Sequence, residues 1–176
     1  DKILEQTFYA NQHNKSKWKK KKAARIEQDY HSSAEKFSVK RDMSKKYLLV
    51  DGYNVIYAWD ELKELLDTNV DAARGKLLDE MCNYQGMKGM ELIVVFDAYR
   101  VKGHETEITD YLNIHVVYTK EAETADQYIE KFAHTHGRKY DVTVATSDGL
   151  EQIIIRGQGC RLLSARELKR DYEEAK

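Results

Sequence analysis

The sequence predicts an α/β domain in which helices flank a mainly parallel sheet. Apolar runs of strand length recur at residues 47–50, 92–96, 114–118, 142–146 and 160–163. Stretches with helical periodicity separate them. Side chains suited to capping open three of those helices, at Thr124, Asp148 and Ser164. Strands alternating with helices make crossover units, and crossovers make neighbouring strands parallel.

Taken in order, residues 47–50 form a short strand, 51–54 a turn, and 55–66 a helix. A second helix over 70–84 places Val70, Ala73, Leu77, Leu78 and Met81 on one face. Gly86 and Gly89 then read as a helix stop and loop. Residues 92–96 are the clearest buried strand, and after a polar loop 114–118 are the next. Thr124 and Gln127 have capping-box spacing, with Ile129, Phe132 and Ala133 as the core face behind them. The strand at 142–146 leads to Asp148 and Glu151, spaced as cap and third residue of a helix ending near Gly157. A short strand at 160–163 precedes a capping box, Ser164 to Glu167, that opens a C-terminal helix.

The chain of 176 residues has room for one domain and an extension. Hydrophobic residues make up 41%, enough for a core. The net charge of −1 hides a split: residues 1–46 carry +7 and the remainder −8. Residues 1–46 therefore read as a basic arm, in part helical, and 47–176 as the globular domain. The arm holds Lys15, Lys17, Lys19, Lys20, Lys21, Lys22 and Arg25 around Trp18, and Ile3, Leu4, Thr7 and Phe8 make a possible helical face. A basic arm on an acidic domain points to a polyanion partner, although such a run is also compatible with a solvated linker. Cys82 and Cys160 lack metal-ligand spacing and are too few for a disulfide framework, which fits a reducing cytoplasm. No apolar run approaches the ~20 residues of a membrane helix, and no signal peptide is visible. A start at Asp1 is what a piece of a longer or processed protein would show.

Asp51, Asp97 and Asp148 each close an apolar run, and Asp126 opens a helix. In a parallel sheet these places border one crevice beyond the strands' carboxyl ends, where ligands bind. Acids gathered there repel one another unless a cation joins them. With oxygen donors only, the expected ion is Mg²⁺ or Mn²⁺, serving phosphate chemistry. Each acid has an ordinary role as well: Asp51 as a turn former, Asp97 as a strand terminator, Asp126 on a helix dipole, Asp148 as a cap. Those roles do not explain why the acids share one end of the sheet. Asn54 is placed to orient Asp51 or to cap a helix, and Ser147 and Thr146 to make turn or phosphate contacts. Arg100, Lys102 and His104 follow Asp97 at the crevice rim, where they suit a nucleic-acid backbone, with ordinary loop charges as the alternative. Tyr53, Tyr57 and Tyr99 lie near enough to stack on bases, with core or rim packing favoured for Tyr57. Arg74 has Asp71 and Asp67 one and two turns before it, which suits a solvated ion pair.

The runs LLVDGYNVI (48–56), VVFDAYRVKG (94–103), VVYTKEAETADQYIEK (116–131), VATSDGLEQ (144–152) and GQGCRLLSAREL (157–168) resemble, in order and spacing, the YacP-like branch of the NYN family. These are PIN-like, metal-dependent ribonucleases. The resemblance implies a PIN-like three-layer domain with Asp51, Asp97, Asp126 and Asp148 as catalytic acids. Asp51, Asp126 and Asp148 would hold the metal, and Asp97 would bind a second ion or orient water. Asn54, Glu123 and Ser147 would assist, and Arg100, Lys102 and Lys19, Lys20, Lys21 and Lys22 would contact RNA. Tyr99 departs from the family pattern, which has His there. The branch is associated with ribosomes and mRNA cleavage, so a cytoplasmic, bacterial, ribosome-associated endoribonuclease acting on single-stranded mRNA is the expectation. Residues 1–46 also resemble the connector before such domains in ribosomal-protection-type translation GTPases. The competing expectation is a non-catalytic RNA- or ribosome-binding PIN-like module. A small-monoester phosphatase or receiver domain is disfavoured by the lack of Asp-x-Asp after the first strand.

Overall fold

Two aliphatic strands, each buried on both faces, form the centre of the molecule. The computed structural model describes residues 19–25, 41–98 and 105–176. In β1 (Asp42–Asp51), Leu48 and Val50 enter one core while Leu49 enters the other. In β2 (Glu91–Phe96), Leu92, Val94 and Phe96 go to the first core, and Ile93 and Val95 to the second. Such continuous apolar runs are what a covered parallel sheet requires.

The other strands are β3 (Glu107–Tyr111), β4 (Ile114–Tyr118), β5 (Tyr140–Ala145) and β6 (Arg161–Leu163). Their order is β3-β4-β2-β1-β5-β6, parallel except for the β3–β4 hairpin. Residues 19–25 form a helical stretch, α1. Helices α2 (Gly52–Ala58), α3 (Asp60–Thr68), α4 (Val70–Lys88) and α7 (Ala165–Ala175) supply the first core. Helices α5 (Ala125–His136) and α6 (Gly149–Gly157) cover the other face. The three-layer α/β architecture expected from the sequence is therefore present.

The chain leaves β1 toward β2 on one side and later returns to β5 on the other. Strand order reverses at β1, and in open α/β sheets such a switch point is where ligands bind, outside the carboxyl ends. This places Asp51, at the end of β1, between the loops following β2 and β5.

Several boundaries differ from the sequence expectation. Strand β1 begins at Asp42 rather than at 47, with an irregularity between Asp42 and Lys46, so the last residues of the expected arm join the sheet. The expected helix over 55–66 is two helices, and the first starts at Gly52, inside the expected turn. Trp59 is extended between them, and its indole N–H donates to the Ala165 carbonyl at 2.7 Å. Helix α4 runs through Gly86 to Lys88 and stops at Gly89, whose φ of 78° suits glycine. The polar loop after β2 contains edge strand β3. Tyr57, expected in the core or at its rim, is 60% exposed.

Gly52 explains how α2 packs so closely on the sheet. A β-carbon there would lie 2.4 Å from the Phe96 ring edge. This glycine therefore permits the close approach of α2 to Phe96. Gly52→Ala is expected to cost about 1–3 kcal/mol by overpacking. Denaturant unfolding checks this, and Phe96→Leu in the same chain is expected to restore part of the loss.

Candidate active site

The loop between β5 and α6 is held by its own side chains. The Thr146 hydroxyl donates to Glu151 Oε2 at 2.9 Å and accepts from the Asp148 amide at 3.2 Å. The Ser147 amide donates to Asn54 Oδ1 at 2.7 Å, while Ser147 Oγ accepts from the Ala165 amide at 3.0 Å. Asn54 and Ser147 thus clamp the start of α2 to the loop carrying Asp148. Thr146 and Ser147 serve here as turn contacts.

Asp148 fills two roles at once. Its Oδ1 caps α6 by accepting from the Leu150 and Glu151 amides at 3.0 and 3.3 Å. Its Oδ2 lies 3.7 Å from the Lys19 ammonium. The same ammonium is ion-paired with Asp126 in the first turn of α5. One turn on, Glu130 pairs with Lys22. Asp126 and Asp148, distant in sequence, therefore share one cation.

Asp51 sits beside this pair. Burial raises its carboxyl from 3.8 to about 6, opposed by a hydrogen bond with Glu151, the Asn54 amide and the Lys19 charge, while Asp148 pushes it further up. Glu151 is fully buried, and desolvation followed by the Asp51 charge holds it well above the usual carboxylate range. That shift favours the neutral acid at Glu151, whose Oε1 has no hydrogen-bond partner.

Glu151 is the candidate residue that sequence reasoning misses. Its spacing from Asp148 marks it as the third residue of a capped helix, and its amide does serve that cap. The signal that could have found it is its place on the core stripe with Ile154 and Ile155, three and four residues on.

The remaining candidates are placed as follows. Asp97 follows β2 at the same end of the sheet and is half-buried. The adjacent Ala98 amide donates to the Thr119 hydroxyl at 3.2 Å, which in turn donates to the Glu123 carbonyl at 2.8 Å. The Glu123 carboxylate, expected to assist the acids, is buried against Lys131 at 2.6 Å. Tyr53 packs edge-on against Phe96, and its hydroxyl accepts from Arg74 at 3.0 Å. Arg74 also pairs with Asp71, as its spacing suggests. Of the four arm lysines expected to contact RNA, Lys20 and Lys21 are exposed, whereas Lys19 and Lys22 turn toward acids of the domain. Tyr99, Arg100, Lys102 and His104 lie outside the described residues, as do Lys15, Lys17, Trp18 and the 3–8 segment.

Among the described residues, no group of three or more His, Cys, Asp or Glu side chains stands ready to hold a metal ion. A lysine ammonium lies among the acids. The donors are all carboxylate oxygens, a set suited to hard cations, and two buried oxygens, Glu130 Oε1 and Glu151 Oε1, lack a hydrogen-bond partner.

A three-layer α/β domain with acids gathered at the switch point of its sheet has the architecture of the PIN-like nucleases. The YacP-like NYN domain model matches residues 48–176, and the chain belongs to that family. It therefore carries a PIN-like RNase domain. It is 48% identical over 127 residues to the uncharacterized protein YacP of Bacillus subtilis strain 168, covering 72% of this chain and 74% of the relative. The crystal structure of a point mutant of Rae1 (YacP) from Bacillus subtilis aligns with TM-score 0.64 and 44% identity, covering 74% of this chain and 76% of that one. A second Rae1 (YacP) crystal structure from Bacillus subtilis aligns with TM-score 0.62 and 46% identity over 73% and 74% of the two chains. No helix among the described residues is long and apolar enough to cross a membrane.

Proposed function

We propose that the domain is a Mg²⁺- or Mn²⁺-dependent endoribonuclease that cleaves single-stranded RNA, with mRNA at the ribosome as its substrate. The observation that supports this best is the Asp51–Glu151 pair, a half-buried and a fully buried carboxyl group beside two further acids that share a cation. Such a pair destabilises the fold, so a structural role alone does not account for it. Asp51, Asp126 and Asp148 are the residues that would hold the ion, with Glu151 behind Asp51. A divalent ion in such a site polarises the phosphate and makes water nucleophilic near neutral pH.

The chain's own groups provide the rest. Asn54 fixes the Asp148 loop through the Ser147 amide, so the acids are positioned before substrate arrives. Asp97 borders the crevice and orients the attacking water. The N-termini of α5 and α6, which carry Asp126 and Asp148, favour phosphate oxygens nearby. Exposed Lys20 and Lys21, with Arg100 and Lys102, supply salt-dependent affinity for the RNA backbone. The two buried free cysteines suit a reducing cytoplasm.

The competing reading is a non-catalytic RNA-binding module. The cap made by Asp148 and the ion pair of Asp126 favour it, but it leaves Asp51 and Glu151 unexplained. The deciding experiment is cleavage of an unstructured RNA with Mn²⁺ and with EDTA. Cleavage with Mn²⁺ that disappears on chelation is expected. Undiminished cleavage in EDTA would exclude the metal-dependent mechanism, and absent cleavage by a protein that binds both Mn²⁺ and RNA would favour the module.

A further inference from the structure

Helix α1 presents two different faces. Lys19, Lys22 and Ala23, spaced three and four residues apart, turn toward the domain, and Ala23 is 3% exposed. Lys20, Lys21, Ala24 and Arg25 face solvent. The inward lysines meet carboxylates one turn apart on α5: Lys19 meets Asp126, and Lys22 meets Glu130. Lys19 also reaches toward Asp148 across the crevice, and its charge is felt at Asp51.

An ammonium at the N-termini of two helices is opposed by both dipoles. Only the carboxylates there make the place favourable for a cation. Lys19 therefore stands where the proposed reading puts a divalent ion, with overlapping partners. The helix bearing it also lies against the crevice that a phosphodiester must enter.

We propose that α1 is an internal competitor for the metal seat: the Lys19 ammonium occupies the acid cluster, and divalent-ion binding displaces the helix. This rests on the metal-dependent reading above. One charge shared between two carboxylates opposes a doubly charged ion with the same partners, and among the described residues the docked face adds the Lys22 pair and the buried Ala23. The arm's basic residues are thereby coupled to the site: α1 either covers the acids or is available to a polyanion.

The test is Mn²⁺ titration by electron paramagnetic resonance on the full chain as wild type, Lys19→Ala and Lys20→Ala. Hydrogen exchange of residues 19–25 is followed with and without Mn²⁺. Lys19→Ala is expected to bind Mn²⁺ about tenfold more tightly, as removal of a competing charge requires. Lys20→Ala, on the exposed face, is expected to bind as wild type does. Mn²⁺ is expected to speed exchange across residues 19–25 in the wild type. Equal or weaker binding by Lys19→Ala, or exchange unmoved by Mn²⁺, would overturn the competitor while leaving the metal seat in place. No Mn²⁺ binding by any of the three would overturn the metal reading and the competitor with it.

Discussion

Replacing Asp51 with Asn is expected to abolish RNA cleavage and to make the fold more stable at neutral pH. The two effects have one origin. Asp51 is half-buried, burial raises its carboxyl from 3.8 to about 6, and the fully buried Glu151 beside it is held well above the usual carboxylate range. Between about pH 4 and 6 the folded chain holds a proton that the unfolded chain has released, so stability falls as pH rises through that window. Above it, the ionised Asp51 leaves the fold weaker by on the order of 3 kcal/mol. Asparagine does not ionise, and its amide can donate to Glu151. Melts with EDTA present, from pH 4 to 8, are expected to show a flatter profile for Asp51→Asn. At pH 7 its melting temperature should be higher by about 5–10 °C. Loss of a carboxylate placed to hold the ion should reduce cleavage by at least ~10²-fold. A variant that melts lower than wild type at pH 7 would show that the pair is not strained, and a variant that cleaves normally would remove Asp51 from the site.

The features of this site that are legible in the sequence are those encoded locally. Residues 92–96 are apolar throughout because β2 is buried on both faces, and such a run has few other uses. Thr124 and Gln127 signal a helix start because their spacing matches two backbone donors, and both halves of that box form. Asp51 and Asp148 stand out because each closely follows an apolar run. What escapes the sequence depends on partners far along the chain. The break between α2 and α3 has no glycine or proline to mark it, because it is fixed by a bond from Trp59 to residue 165. Strand β3 lies at a sheet edge with Ile108 63% exposed, so it carries little of the apolar signature of a strand. Glu151 looks like a capping residue because its backbone is one, while its side chain does something else. Lys19 reads with its neighbours as part of a uniform basic run, but a helix divides such a run into two faces with different partners.

A local break in the helix and a distant support meet at Trp59, and its removal is expected to be the most destabilising single change among those considered. The residue is 2% exposed and packs in the core beneath α2, α3 and α7. Trp59→Ala should cost about 3–5 kcal/mol, measured by urea unfolding. Its indole bond to the Ala165 carbonyl fixes the first residue of α7. The Ala165 amide donates to Ser147, and the Ser147 amide donates to Asn54, so the chain of bonds leads from the core to the Asp148 loop. Trp59→Phe separates the two contributions. It keeps most of the apolar volume and removes the indole donor, leaving the Ala165 carbonyl with its helical amide partner alone, for an expected cost of about 0.5–1.5 kcal/mol. At a temperature where each variant remains folded, cleavage should fall about tenfold in Trp59→Ala, since small displacements of positioned groups are costly in rate. A Trp59→Ala protein that is destabilised yet cleaves as fast as wild type would show that this chain of bonds supports the fold and not the placement of Asp148.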